Sequence, residues 1–109
     1  MSVEEKIGEI LKEYQEKNEG VRLSVVTDDQ GFVIGAYPYA KEKTELLEAI
    51  GAVFSELLRQ VFETISIMAP KIADKIVKIS VGLKSRIVEF YPEGDINLIL
   101  LKTFENEEH

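Results

Sequence analysis

The chain has 109 residues, enough for one domain with its own core, and 13 basic against 20 acidic residues leave a net charge of −7. That balance argues against nucleic acid and against an anionic membrane surface, since both demand clustered Lys and Arg. The absence of cysteine excludes disulfides, thiolate zinc sites and cysteine nucleophiles, and no apolar run approaches the roughly 18 residues of a membrane span.

The N-terminus has no basic stretch followed by an apolar one, so a cytoplasmic protein without membrane insertion is expected. The first helix is predicted from Val3 to Lys17. Val3, Ile7, Ile10, Leu11 and Tyr14 form one stripe of about 100°. Ser2 with Glu5 three residues on makes a capping box. Gly20 is suited to the left-handed conformation that ends a helix.

A hairpin follows, Arg22 to Thr27 and Phe32 to Tyr37, around Asp28-Asp29-Gln30-Gly31. The aspartates favour the turn and Gly31 can take a positive φ. Alternation in the first strand predicts burial of one face. Pro38 should stop the second strand or confine it to an edge.

The long helix is predicted from an N-cap at Thr44 to Met68, with Pro70 ending it. Leu46, Leu47, Ile50, Val53, Phe54, Leu57, Leu58, Val61, Phe62 and Ile65 recur at helical spacing. They cover an arc of roughly 180°, whereas a helix lying only on its own sheet needs about 100°. The excess requires another surface, and a second subunit is the simplest. Gly51, unfavourable inside a helix by about 1 kcal/mol, implies a packing constraint.

Three strands complete the chain: Lys75 to Leu83, Arg86 to Tyr91, and Ile96 to Thr103, the last two joined at the turn Pro92-Glu93-Gly94-Asp95. The apolar density of the last strand places it near the sheet centre. Phe104 to His109 is a short acidic tail, expected to fray. The expectation is an α+β fold of order α-β-β-α-β-β-β: five mostly antiparallel strands with helices on the sheet's faces.

The segment Leu23 to Gly35, the long helix from Thr44 and the strands flanking Pro92-Glu93-Gly94-Asp95 resemble the roadblock/dynein light chain family over nearly the whole chain. The resemblance implies a small dimeric module that binds and regulates or scaffolds a Ras-like GTPase. It implies pairing of the strand after the long helix with its symmetry mate, and packing of the long helices on one side. Carried onto this sequence, the interface would draw on Val53, Leu57 and Val61 of the helix and on Ile76, Lys78 and Ser80 of the strand. The partner would be a second copy or a paralogue. Many bacterial members carry a further helix after the last strand, and this sequence departs from them there.

Residues that could carry chemistry have simpler roles. His109 is terminal. Asp28 and Asp29 are explained by the turn, and Gly31 and Gly35 are not followed by the Gly-Lys-Ser/Thr of a phosphate loop. Tyr37, Tyr39 and Tyr91 suit either an interface or half-buried edges. Arg59 could reach a partner's nucleotide, but a solvated arginine accounts for it. No catalytic residue, cofactor or metal is expected. The rival reading is a small-molecule sensor of PAS-like or GAF-like type, with a ligand between sheet and helix.

Overall fold

The computed structural model describes residues 2–103. In chain order these form α1 (Val3–Lys17), β1 (Val21–Asp28), β2 (Val33–Tyr37), α2 (Lys41–Met68), a 3₁₀ turn at Pro70–Ile72, β3 (Ile79–Gly82), β4 (Arg86–Glu93) and β5 (Ile96–Thr103). The strands make one antiparallel sheet in the order β2-β1-β5-β4-β3. β5 is central, as its apolar density requires, and β2 and β3 are the edges. The tail after Thr103, with His109, lies outside the described residues.

The register divides the side chains between two faces. Leu23 and Val25 of β1, Ile99 and Leu101 of β5, Val88 and Phe90 of β4, and Ile79 of β3 form one core with Leu47, Ile50, Phe54 and Leu58 of α2. α1 packs on the opposite face, over β2 and β1. Ile7 meets Gly35 so closely that a Cβ there would lie 2.8 Å from Ile7 Cβ. Ser24 Oγ donates to Gln15 Oε1 at 3.2 Å.

Local predictions hold where chain chemistry decides them. Ser2 caps α1 by accepting from the Glu5 amide. Asp28 Oδ1 accepts from the amides of Gln30 and Phe32 at 2.9 Å each. Gly20, Gly31 and Gly94 all have positive φ. Ala69, before Pro70, leaves the helical region and ends α2. β2 is an edge strand and stops at Tyr37, before Pro38.

Four expectations are corrected. β1 is buried on both faces, because it lies inside the sheet with a helix on each side. Val3 and Ile10 are exposed: the Ile7–Gly35 contact fixes the rotation of α1, and these two fall on its rim. α2 starts a turn early, with Ala40 as N-cap and without a side-chain cap. Lys41-Glu42-Lys43 are good helix formers, and Thr44, one turn in, donates its N–H to the Ala40 carbonyl at 2.8 Å.

The fourth correction concerns β3, which begins at Ile79 instead of Lys75. β4 and β5 are joined by the two-residue turn Gly94-Asp95, so Glu93 and Ile96 form the closing hydrogen-bonded pair. Alternation then turns the backbone of Pro92, Phe90 and Val88 toward β3. Phe90 and Val88 pair with Ile79 and Val81. The next pair would be Val77 with Pro92, which has no N–H to give, and the ladder ends.

Candidate functional site

α2 has 28 residues and is therefore about 42 Å long, while five strands span about 19 Å across the sheet. It outruns its own core. Its buried residues, Thr44, Leu47, Gly51 and Phe54, all lie in its first half. At Gly51 the helix packs closely on the sheet: a Cβ at this position would lie 2.5 Å from Ile99 Cδ1, the packing constraint expected of it.

Part of the broad apolar stripe is left uncovered by the described residues. Val53, Leu57 and Val61, successive at i, i+4 and i+8, are 66%, 40% and 38% exposed, and Leu46 and Phe62 are exposed beside them. Leu57 and Val61 line a shallow cleft of about 260 Å³ with Gln60, Thr64 and Ile65. Leu58 and Phe62 border a second cleft of about 570 Å³, closed by Ala73 to Ile76 and by Pro92 and Gly94.

β3 ends the sheet at the edge opposite β2. Its hairpin with β4 closes with the Leu83 N–H donating to the Arg86 carbonyl at 2.7 Å. By alternation, Val81 and Ile79 bond to β4, while Ser80 and Gly82 turn their backbone groups outward. An unpaired edge of this kind accepts another strand readily. Val81 and Ile79 have their side chains on the α2 side, with Val81 exposed; Ser80 points to the other face.

The residues anticipated for an interface are therefore distributed as follows. Val53, Leu57 and Val61 are together on the uncovered side of α2. Ser80 sits on the edge strand. Ile76 and Lys78 fall in the segment before β3, Ile76 half-buried against the second cleft. Lys78 is held on the α1 side of the sheet by Glu89.

That contact belongs to a network the sequence reading missed. Glu89, only 5% exposed, lies between Lys78 and Lys102, each with Nζ 2.5 Å from a carboxylate oxygen. Lys78 also lies 5.6 Å from the Tyr91 ring centroid, within cation–π range. The signal was a lone carboxylate in the apolar strand Ile87-Val88-Glu89-Phe90, with one lysine on β5 and another just before β3. Burial pushes the Glu89 carboxyl up, but hydrogen bonds from Lys102 and Lys78 outweigh it, and the group stands below its ordinary 4.5. Both lysines stand above 10.5, chiefly through Glu89.

A carboxyl lowered on folding adds stability that is complete above its unfolded value and lost as pH falls through its folded one. The two raised lysines contribute below 10.5 and lose that contribution as pH rises through their folded values. Glu89→Gln is therefore expected to lower the melting temperature at pH 7. The gap to wild type should narrow as pH is taken below 4.5. A gap constant from pH 7 to 3 would show that the ion pairs add nothing.

Arg59 is clamped by two carboxylates, Glu56 and Glu63, the latter at 3.3 Å. Its guanidinium is raised further by Glu56 and is engaged within its own helix. Asp28 is occupied by its turn, and no group of three His, Cys, Asp or Glu among the described residues is arranged to hold a metal. No helix among them is long and apolar enough to cross a membrane. The space between α2 and the sheet is filled by Leu47, Phe54, Phe90 and Ile99.

One further side chain is out of balance. Thr44 is 3% exposed and its Oγ1 has no hydrogen-bond partner. Such a group destabilises by about 1–3 kcal/mol, so Thr44→Val, of nearly the same shape, should stabilise by about 1 kcal/mol. Urea titration measures this directly; an unchanged or lower midpoint would mean that the hydroxyl is satisfied in solution.

No family model and no curated protein matches this sequence. Solved structures match its fold. A Roadblock/LC7 domain from Streptomyces avermitilis superimposes with a TM-score of 0.66 at 14% identity, over 86% of this chain and 75% of that one. The gliding protein MglB from Thermus thermophilus gives 0.66 at 14% identity, over 94% and 75%. Myxococcus xanthus MglB gives 0.70 at 7% identity, over 97% and 78%. With the element order α-β-β-α-β-β-β and a five-stranded antiparallel sheet, this chain has the roadblock/LC7 fold.

Proposed function

We propose that this protein is a dimer-forming interaction module of the roadblock type, acting on a small Ras-like GTPase as a regulator or scaffold and not as an enzyme. Two observations carry the proposal together: Val53, Leu57 and Val61 of α2 are exposed, and β3 is an edge strand of the sheet. Two copies related by a two-fold axis would pair β3 with β3 and extend the sheet across the dimer. The same operation would bring the uncovered sides of the two α2 helices together, since a two-fold interface uses the same patch on both copies. A paralogue with the same edge and stripe would satisfy the same geometry.

The GTPase assignment rests on the roadblock fold and on the family resemblance. With Arg59 engaged by Glu56 and Glu63, stimulation of hydrolysis would work by ordering the GTPase's own switch segments, Arg86 being the other arginine that could act on a partner. The sensor reading loses support because the helix–sheet interior is packed with side chains. The test is co-purification with the Ras-like GTPases encoded beside this protein's gene, each loaded with GDP or a non-hydrolysable GTP analogue. Retention of one of them supports the proposal. Retention of none in either state removes the GTPase partner and leaves dimerisation to be judged by solution mass.

A further inference from the structure

Two copies of β3 can meet in more than one register. In an antiparallel pair, residues with outward backbone groups face one another. In β3 these are Ser80 and Gly82, and the alternation adds Lys78 before them. A two-fold axis through any one residue from 78 to 82 meets this condition, and each choice fixes every other contact across the seam.

Two features of the edge select among them. Toward α2 the alternation runs Val77, Ile79, Val81 and Leu83, of which Val77, Val81 and Leu83 are 66%, 40% and 52% exposed. These positions are symmetric about Ser80, so only an axis through Ser80 sets each of them opposite another of the set. An axis through Ile79 leaves Leu83 opposite the partner's Lys75, and one through Val81 leaves Val77 opposite the partner's Ser85. An axis through Lys78 opposes two like charges, which is unfavourable. The second feature is Gly82. Its φ is not left-handed, and a Cβ there would meet nothing within 4 Å among the described residues. Glycine weakens a strand interior and suits close approach by another backbone, so this glycine fits a neighbour from outside the chain.

We infer that β3 pairs with a second copy of itself with Ser80 on the two-fold axis. Val77 then meets the partner's Leu83, Ile79 meets the partner's Val81, and Gly82 lies opposite the partner's Lys78. This rests on the dimer proposed above and names what the second copy supplies at each position. Ser80 exchanges both main-chain hydrogen bonds with its own copy. Lys78 keeps its contact with Glu89 of its own chain, and the two Lys78 backbones stand about 14 Å apart along the strands.

The chain contains no cysteine, so a single introduced cysteine reports only its approach to its own copy. Facing residues of a hydrogen-bonded pair have Cα atoms about 5.5 Å apart, inside the range of about 4.4–6.8 Å that a disulfide spans. Ser80→Cys should therefore form a covalent dimer in a glutathione redox buffer. Ile79→Cys and Val81→Cys, each about 8 Å from its copy, should link at least about tenfold more slowly. Charge at position 82 gives a second readout, because a side chain there meets nothing in its own chain. Gly82→Lys faces the partner's Lys78 and should raise the dimer dissociation constant at least about threefold over Gly82→Glu at low salt. Adding Lys78→Ala to both should remove that difference. Faster linkage of Ile79→Cys or Val81→Cys than of Ser80→Cys, no linkage in a chain that light scattering shows to be a dimer, or equal dimerisation of Gly82→Lys and Gly82→Glu would each overturn the register and leave the dimer standing. A monomeric wild-type chain would overturn both.

Discussion

Ser80→Pro is expected to convert a dimer into a 12.3 kDa monomer without unfolding the chain. The register explains why this position is selective. Ser80 turns its N–H away from β4, so proline there leaves the β3–β4 ladder intact and removes one outward donor from each copy. Two lost bonds are worth about 1–3 kcal/mol together, and the added ring obstructs approach of the second strand. Leu57→Asp tests the other half of the surface, since a carboxylate forced into an apolar contact costs more than the contact returns. Either variant should raise the dimer dissociation constant at least about thirtyfold, which corresponds to about 2 kcal/mol. Light scattering behind a sizing column reads the mass directly. A wild-type chain that is already monomeric at micromolar concentration would overturn the homodimer and leave the stripe to a paralogue or another protein.

Phe90→Ala is expected to have the largest effect on stability. Phe90 is 1% exposed at the centre of the core, and its ring meets Phe54 edge to face at 5.7 Å between centroids. Truncating a buried phenylalanine costs about 3–5 kcal/mol through lost transfer energy and the cavity left behind. A domain of this size has about 5–15 kcal/mol in all, so the variant should be close to unfolding at ambient temperature. Urea titrations should be run at one protein concentration, because dimerisation adds to apparent stability by mass action. A double-mutant cycle with Phe54→Ala isolates the ring contact, expected at about 0.5–1.5 kcal/mol. Strict additivity would mean that the two rings only fill space.

These expectations depend unequally on sequence and structure. The turn at Asp28, the cap at Ser2, the positive-φ glycines and the end of α2 before Pro70 depend on a few adjacent residues, and each was legible. The start of α2 was not, because Thr44 looks like a cap by composition, whereas the extended backbone at Ala40 already opens the helix one turn earlier. The length of β3 was hidden for a different reason. Its limit is the missing N–H of Pro92, which acts only once β4 has paired with both neighbours. Glu89 could have been noticed as an isolated charge in an apolar strand, but its two partners lie on β3's approach and on β5.

By itself, then, the sequence determined the order of helices and strands, that the sheet is antiparallel with β5 near its centre, and that α2 is apolar over more surface than one sheet can cover. Such features follow from spacing along the chain and from residue-specific backbone limits, both local quantities. Only the tertiary structure decided which part of the α2 stripe stays uncovered and which backbone groups of β3 point outward. Those depend on strand order, register and helix rotation, which are set by contacts between residues far apart in the chain, such as Ile7 with Gly35 and Gly51 with Ile99.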